Sequence, residues 1–282
     1  MHAFTPETYL LFIALGLGAG AFGTVIGAGG GFVLMPVLLL LFPQEPPERL
    51  TSISLAVVLV NALSGTEAYA RMRRIDFRSG LIFAAATIPG AVLGAVWTGQ
   101  VNRRFFDLVF GVLLVGLSAF LALKRDGPVQ AHLQGRHHLG QVDRHFTEAD
   151  GEKFDYSYNL GVALPASLVL GFMSSFLGIG GGGLYVSMLV YLLHFPVHAA
   201  TATSLFVLSI MAAAGTLVHI LGGAFHHGAH LMIPLAVGVL VGAQAGAYLA
   251  RRLAGSFIIK VLAAALGLMG IKILATVAGM AG

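Results

Sequence analysis

Two glycine clusters are the residues of this chain whose type and spacing suggest chemistry. Gly27-Ala-Gly-Gly-Gly-Phe recurs 151 residues later as Gly178-Ile-Gly-Gly-Gly-Gly. Successive glycines disfavour helix by roughly 1 kcal/mol each, and a helix that begins after them presents bare N–H groups and the positive end of its dipole. Such a helix start can bind an anion without a cationic side chain. The clusters therefore predict a small-anion site formed by Gly29, Gly30, Gly31, Gly180, Gly181 and Gly182.

Hydroxyl and amide side chains supply further candidate ligands for the anion. Thr51-Ser-Ile-Ser-Leu55 recurs 150 residues later as Thr201-Ala-Thr-Ser-Leu205. Residues spaced i, i+3 share a helix face, and both halves keep this spacing. A hydroxyl in a membrane helix more often bonds to its own backbone, and a buried amide can equally join two helices, so these alternatives stay open. The candidates are Ser54, Asn61, Thr201, Ser204 and Gln244.

Two titratable residues are candidates for coupling transport to protons. Glu67 is the one acid well inside a predicted membrane segment, and such acids are functional candidates by default. Arg71 follows four residues later, however, which is the spacing of a simple ion pair at the membrane surface. His219 is a candidate because an ordinary histidine side chain can titrate near neutral pH, although a single histidine at a helix end is more often structural.

Histidine clusters give the alternative function, which is export of a transition-metal cation. The histidines lie in two hydrophilic segments and are His132, His137, His138, His145, His226, His227 and His230. Imidazole suits zinc and nickel, but no acid or histidine series continues through the apolar segments. We expect no bound metal or cofactor. We also expect no enzyme, because neither Gly-x-Ser-x-Gly nor His-Glu-x-x-His occurs.

The elements that position these residues are membrane helices. The chain has 282 residues, of which 57% are apolar and 10% charged, whereas soluble domains carry about 25% charged residues. Uncharged runs of about 20 residues match the thickness of a bilayer core. This composition excludes soluble enzymes and gives no reason to expect a nucleic-acid partner. Ten apolar segments are predicted: 8–26, 32–42, 50–70, 79–99, 105–123, 158–177, 184–195, 199–221, 231–250 and 256–278.

The repeated motifs divide the chain into two halves. We predict an all-α integral membrane protein with a first repeat at 1–123, a hydrophilic cytoplasmic linker at 124–157 and a second repeat at 158–282. Five crossings per half invert the second half relative to the first. The positive-inside rule favours this arrangement, because it places 12 of the 16 Lys and Arg residues in the cytoplasm. Eight helices with parallel halves would give a weaker charge bias. The predicted location is the inner (cytoplasmic) membrane, crossed many times.

The length of the uncharged runs places the glycine clusters inside the membrane. Thr8–Phe42 and Tyr158–Phe195 contain no charge over 35 and 38 residues, whereas two full crossings need about 40 residues before any turn. Each cluster therefore breaks a pair of shortened helices. Paired breaks in two halves are typical of a transporter's central site. Isolated glycines are instead expected to pack helices closely; these are Gly16, Gly18, Gly20, Gly90 and Gly94.

These motifs resemble the TauE/SafE sulfite exporter family. The resemblance rests on Gly27-Ala-Gly-Gly-Gly-Phe-Val-Leu-Met-Pro36, its repeat at Gly178–Ser187 and the Ala-Thr-Ala-Thr-Ser-Leu run at 200–205. The second repeat departs from the first by an extra glycine and by Ser187 in the place of Pro36. The resemblance implies transport of sulfite, sulfonates or sulfoacetate. The expected partners are the small anion, the lipid bilayer and, among proteins, a further copy of the chain.

Overall fold

A computed structural model describes residues 6–123, 140–147, 153–224, 229–250 and 255–279. Ten helices occur in these ranges, and each corresponds to one predicted segment, with ends that differ by a few residues. The elements are α1 Pro6–Val25, α2 Gly31–Leu41, α3 Pro47–Arg71, α4 Phe77–Thr98, α5 Arg103–Leu123, β1 Gln141–Thr147, β2 Lys153–Asn159, α6 Leu160–Leu177, α7 Gly182–Tyr191, α8 Val197–Leu221, α9 Ala229–Ala250 and α10 Gly255–Gly279.

Seven of the described helices are long and apolar enough to cross a membrane, namely α1, α3, α4, α5, α6, α8 and α9. The short apolar helices α2 and α7 follow the glycine clusters, as the length argument predicts. Leucines and valines point outward along the long helices, for example Leu81, Leu93 and Leu240, which are about half exposed. Apolar side chains facing outward on every long helix suit a lipid environment rather than water.

The linker differs from the all-α prediction, because β1 and β2 form an antiparallel hairpin in which Gln141 pairs with Asn159 and Thr147 with Lys153. The strand also extends past the predicted boundary at residue 158. Every second side chain of a strand lies on the same face. Tyr156 and Tyr158 share the face that points inward, and their side chains are 0% and 3% exposed. Both rings pack on Phe195, at centroid distances of 4.2 and 5.7 Å.

A buried carboxylate anchors this hairpin to the helices. Asp76 caps the start of α4, and it accepts hydrogen bonds from Arg144 of β1, at 2.5 and 3.0 Å, and from the hydroxyl of Tyr156, at 2.6 Å. Tyr158 donates to Ser79 at 2.9 Å. Burial alone raises the pKa of Asp76, but the hydrogen bonds from Arg144, Ser79 and Tyr156 outweigh it and lower the pKa to about 2. The carboxylate is therefore ionised in the folded protein.

The hairpin defines one end of the helix bundle, which we call the hairpin end. α4, α6 and α8 begin there, whereas α3 and α5 begin at the other end, which we call the far end. α2 finishes at the far end, where Arg103 of α5 donates to the carbonyl oxygens of Leu39 and Glu45, at 2.8 and 2.7 Å. Asp107 pairs with the same guanidinium at 2.8 Å. α1 begins at the same end, because Phe12 of α1 stacks on Phe42, which follows α2, at a centroid distance of 6.4 Å.

The two halves pack chiefly against each other. α1 of the first half packs on α9 of the second, and the equivalent pair is α6 with α4. In the same way, α3 contacts α9, and its equivalent α8 contacts α4. The central helices α3 and α8 run antiparallel, because Leu55 lies beside Gly215 while Leu205 lies beside Gly65. α5 and α10 are also antiparallel: Gly111 meets Leu274, and Ser118 donates to the carbonyl of Ala263 at 2.7 Å.

Most of the isolated glycines pack helices as predicted. A Cβ at Gly90 would overlap the carbonyl oxygen of Leu168, and one at Gly94 would overlap that of Phe172. Gly16 and Gly20 approach the backbone of α9 in the same way. Gly18 is the exception to the prediction, since a Cβ there would meet no atom within 4 Å. It lies on the outer face of α1, where no partner helix needs to approach.

Candidate functional site

The helices are interrupted at both glycine clusters, where the sequence predicts breaks. α1 ends at Val25 and α2 begins at Gly31, while α6 ends at Leu177 and α7 begins at Gly182. Gly30 and Gly181 precede the new helices with φ of +78° and +62°, a left-handed conformation that glycine adopts at low cost. Neither helix start has a side-chain cap.

The two breaks cross each other in the interior of the protein. A Cβ at Gly31 would overlap the carbonyl oxygen of Ile179, and one at Gly182 would overlap that of Gly27. Val58 of α3 and Leu208 of α8 contact both breaks, through Gly29 on one side and Gly180 on the other. Every residue from 23 to 32 and from 174 to 183 is buried. We call this region the glycine crossing.

Two helix N-termini meet at the glycine crossing. α2 runs from the crossing to the far end, and α7 runs from the crossing to the hairpin end. The positive end of each helix dipole therefore lies at the crossing and faces the glycine cluster of the other half. The first N–H groups of a helix have no acceptor within that helix. Together the two starts offer uncompensated donors and about half a positive charge each, inside a region closed to water.

Ser54 and Ser204 bind the opposite glycine cluster rather than presenting free hydroxyls. Ser54 Oγ donates to the carbonyl oxygen of Gly178 at 2.6 Å, and Ser204 Oγ donates to that of Gly27 at 2.9 Å. Ser204 also lies 2.8 Å from the carbonyl oxygen of Thr201. Thr201 itself donates to its own helix, at the carbonyl of Val197. In this conformation Ser54 and Ser204 hold the backbone of the crossing, whereas the hydroxyl of Thr201 does not contact it.

The two amides have different surroundings. Gln244 donates through Nε2 to the carbonyl oxygen and to Oγ of Ser64, both at 3.0 Å, which is the interhelix bond that the sequence left as an alternative. Asn61 accepts a hydrogen bond from Thr24 at 3.3 Å. Its Nδ2 donor is buried and has no hydrogen-bond partner within the described part of the chain.

Ser174 is a residue that the sequence analysis missed. Its Oγ lies 2.6 Å from the position of a Cβ on Gly181, at the start of α7, and is fully buried. Among the described residues it has no hydrogen-bond partner. The signal in the sequence was the Ser174-Ser175 pair, which interrupts an apolar helix just before the second cluster. A buried hydroxyl without a partner costs free energy, so a polar group is expected to occupy this position during function.

The two coupling candidates lie away from the crossing. Glu67 is exposed and forms the ion pair with Arg71 that the spacing predicts. His219 is buried near the end of α8, and its Nε2 atom has no partner in the described structure. The locations of Glu67 and His219 do not test proton coupling, which stays a prediction.

The metal-binding alternative falls largely outside the described residues. His132, His137, His138, His226 and His227 lie outside the described residues, as do the side chains of His145 and His230. Within the described ranges, no group of three or more His, Asp or Glu side chains could hold a metal ion. The described buried carboxylates, Asp76 and Asp107, are each paired with an arginine and lie at the ends of α4 and α5.

The crossed helix breaks and the lipid-facing helices define a multi-pass membrane protein. Comparison with known proteins gives its family. The sequence profile of the family described as "Sulfite exporter TauE/SafE" matches residues 12–273. The chain belongs to this family, and it is a membrane transporter. No solved structure matches it.

Curated relatives agree with this assignment over nearly the full length. The chain is 32% identical over 273 residues to "Probable membrane transporter protein YunE" of Bacillus subtilis, covering 95% of this chain and 97% of that protein. It is 20% identical to "Probable membrane transporter protein MJ0441" of Methanocaldococcus jannaschii, covering 94% of each. These names give the class of activity without a substrate.

Proposed function

We propose that this transporter carries small sulfur-containing oxyanions, of the sulfite, sulfonate and sulfoacetate class, and binds them at the glycine crossing. The observation that carries the proposal is the meeting of two helix N-termini in a buried region to which no described residue contributes a carboxylate. A cation at this depth would need carboxylates to offset its desolvation. An oxyanion instead finds N–H donors and positive dipole ends from two directions.

The binding groups we assign are the backbone N–H groups of Gly30, Gly31 and Gly180–Gly182, together with two side-chain donor atoms that have no partner among the described residues. The N–H of Gly29, also a predicted ligand, donates to the carbonyl oxygen of Gly23 at 3.2 Å. Ser174 Oγ and Asn61 Nδ2 are hydrogen-bond donors, buried on the α7 and α3 sides. Ser54 and Ser204 support the site indirectly, because they fix the carbonyls of Gly178 and Gly27. Thr201 and Gln244 act further out, by supporting α8 and by joining α9 to α3.

We further propose that the halves are inverted repeats, related by an axis in the membrane plane. The support is the antiparallel packing of equivalent helices. Leu55 and Leu205 are equivalent by the 150-residue offset, and so are Gly65 and Gly215. Leu55 of α3 contacts Gly215 of α8, and the equivalent contact joins Leu205 of α8 to Gly65 of α3. An axis that exchanges antiparallel membrane helices lies perpendicular to them. Parallel halves with eight crossings would instead make α3 and α8 parallel.

The hairpin end is assigned to the cytoplasm. It includes the loop Arg71-Met-Arg-Arg and the hairpin with Arg144, whereas the far end has Arg49, Arg103 and Arg104. The excess of basic residues at the hairpin end follows the positive-inside rule. In a bacterial cell this orientation corresponds to the inner membrane. A small anion would then exchange between the two ends through alternate opening around the glycine crossing.

The weakness of the positive charge suits transport. Two helix starts attract a monoanion but contain no fixed cation, so the anion can leave again. A buried arginine would hold the anion longer and would cost more to desolvate. The glycine crossing therefore combines recognition of an oxyanion with release.

Flux measurements with proteoliposomes test the proposal. Uptake of radiolabelled sulfite and methanesulfonate is compared with uptake of sodium, zinc and nickel ions, with empty liposomes as the control. We expect protein-dependent uptake of the sulfur anions alone. Metal-ion uptake without anion uptake would overturn the proposal and favour the cation exporter.

A further inference from the structure

We infer that the far end contains a second anion-binding station, formed by Thr51, Ser175, Thr216 and His219. We call these four residues the outer cluster. The inference rests on the proposed function for the class of ligand, a small oxyanion, but concerns residues outside the glycine crossing. The observation behind it is a set of buried polar atoms, Thr51 Oγ1, Ser175 Oγ, Thr216 Oγ1 and His219 Nε2, which have no hydrogen-bond partner within the described part of the chain.

Helix contacts place Ser175 and Thr216 at one level, and Thr51 and His219 one helix turn closer to the far end. Ser175 Oγ lies 2.9 Å from the position of a Cβ on Gly215, and Leu55 Cδ1 lies 3.2 Å from the same position. His219 lies one turn beyond Gly215 on α8. Thr51 lies one turn before Leu55 on α3. Because α3 and α8 are antiparallel, these two turns lead in the same direction, toward the far end.

The remaining contacts close the cluster around the end of α6. A Cβ at Gly178 would lie 3.0 Å from Cγ2 of Thr51, which puts Thr51 against the break that follows Ser175. Thr216 precedes His219 by three residues and shares its helix face. The start of α7, with its positive dipole end and the free hydroxyl of Ser174, points toward the same side. An anion in the outer cluster would thus lie between this helix start and the far end.

Three of the four residues that the repeat offset makes equivalent to the outer cluster have partners, namely Thr24, Tyr69 and Thr201, which makes the free atoms of the outer cluster informative. The fourth, Thr66, is equivalent to Thr216, and its Oγ1 likewise has no partner among the described residues. By the repeat offset, Ser175 is equivalent to Thr24 and His219 is equivalent to Tyr69. Thr24 Oγ1 bonds to Asn61 at 3.3 Å, and the hydroxyl of Tyr69 donates to the carbonyl oxygen of Thr24 at 3.1 Å. At the hairpin end these side chains therefore satisfy one another. The same architecture at the far end leaves its donors unpaired, as expected for a site that receives a ligand.

A cavity at the far end lies beside the helix ends that carry part of the outer cluster. This cavity of about 200 Å³ is lined by Pro46, Glu48, Arg49 and Ala224. Ala224 N donates to the carbonyl oxygen of His219 at 3.0 Å, so the cavity lies next to the last turn of α8. Arg49 is also bound to Glu45 at 2.6 Å, and the charged residues among the described lining of the cavity are Glu48 and Arg49. An anion entering here would reach the outer cluster before the glycine crossing.

Single cysteines test the outer cluster directly, because the chain contains no cysteine. Thr216→Cys and Ser175→Cys are compared in proteoliposomes with Ser167→Cys. Ser167 is buried on the same helix as Ser175 but is already bonded to Tyr185, at 2.6 Å. Each thiol is labelled with a methanethiosulfonate bearing a sulfonate and with one bearing a trimethylammonium group. Methanesulfonate is the competing anion.

We expect the sulfonate reagent to label Thr216→Cys and Ser175→Cys about tenfold faster than the cationic reagent, since a positive local field favours the anion. Methanesulfonate at ten times its dissociation constant should slow this labelling about tenfold by occupancy. Ser167→Cys should show neither preference nor protection. Equal rates for the two reagents, absence of protection, or absence of labelling in variants that still transport would each overturn the inference.

The outcome separates this inference from the proposed function. Transport of methanesulfonate without protection of the thiols in Thr216→Cys and Ser175→Cys would exclude the outer cluster as an anion-binding site. The glycine crossing would then remain as the proposed site. Protection at these thiols in a protein that moves no sulfur anion would instead support an anion station and contradict the proposed transport.

Discussion

Ser204 and Gly27 are joined across the two halves of the chain by a hydrogen bond of 2.9 Å, from the serine hydroxyl to the glycine carbonyl. Ser54 makes the equivalent bond to Gly178 at 2.6 Å. Each central helix therefore holds the glycine break of the opposite half. In this conformation the repeated serines, which were predicted as substrate ligands, donate to the backbone of the glycine crossing.

Removing one of these bonds should loosen the crossing. Ser54→Ala leaves the carbonyl of Gly178 without this donor in a region closed to water, which costs about 1–3 kcal/mol. We expect a lower Tm in detergent and slower sulfonate uptake. Ser209→Ala is the matched control, because Ser209 donates at 2.7 Å to its own helix at Phe206. An equal loss of Tm in both variants would contradict a specific role for Ser54.

Bringing the two breaks apart should affect transport directly. A Cβ at Gly182 would overlap the carbonyl oxygen of Gly27, so Gly182→Ala must displace one break from the other. We expect uptake to fall at least about tenfold, a loss typical of misplaced binding groups. Gly18→Ala introduces the same methyl group where no atom lies within 4 Å, and it should transport normally. Normal uptake by Gly182→Ala would exclude the crossing as the site.

Close packing between the halves should respond to a single methyl group. Gly90→Ala would press a methyl against the carbonyl of Leu168, and overpacking of this kind costs about 1–3 kcal/mol. The Tm should fall accordingly. Gly116→Ala on α5 serves as the control, because nothing lies within 4 Å of its added methyl. If the Tm of both variants were unchanged, the packing of α4 on α6 would be looser than described.

The bond between Asp76 and Arg144 should control docking of the hairpin. Arg144→Met leaves the carboxylate of Asp76, which is 3% exposed, without its cation, and breaking a buried pair costs about 3–5 kcal/mol. Hydrogen exchange at the amides of Tyr156 and Tyr158 should speed up. Arg78→Met, which removes an exposed arginine from the first turn of α4, should leave exchange unchanged.

The same contact predicts a dependence on pH. Because folding lowers the pKa of Asp76 from 3.8 to about 2, its contribution to stability is complete above the unfolded pKa and is lost as the pH falls through the folded pKa. Hairpin protection in the wild type should therefore decline between pH 4 and pH 2, as measured by hydrogen exchange. Protection that is constant across this range would contradict the assigned role of Asp76.

The sequence predicted the helices well, because bilayer thickness and uncharged runs constrain their lengths. It also located both breaks, since Gly27–Gly31 and Gly178–Gly182 cannot continue a helix cheaply. It missed the hairpin, because the aromatic residues of β2 lie among charges and their partner Phe195 is distant in the chain. The roles of Ser54 and Ser204 were equally inaccessible, since the carbonyls that they bind lie 124 and 177 residues away.

The central claim is that the glycine crossing binds a small oxyanion, and Ser174 offers its most direct test. Ser174→Ala removes one unpartnered donor without adding bulk. Ser187→Ala is the control, because Ser187 donates at 2.8 Å to its own helix at Gly183. Equilibrium binding of radiolabelled methanesulfonate to purified protein should be saturable in the wild type and in Ser187→Ala. In Ser174→Ala the Kd should rise about tenfold or more, the value of a hydrogen bond to a charged group. An unchanged Kd in Ser174→Ala, or no binding of sulfite or methanesulfonate by the wild type, would contradict the account.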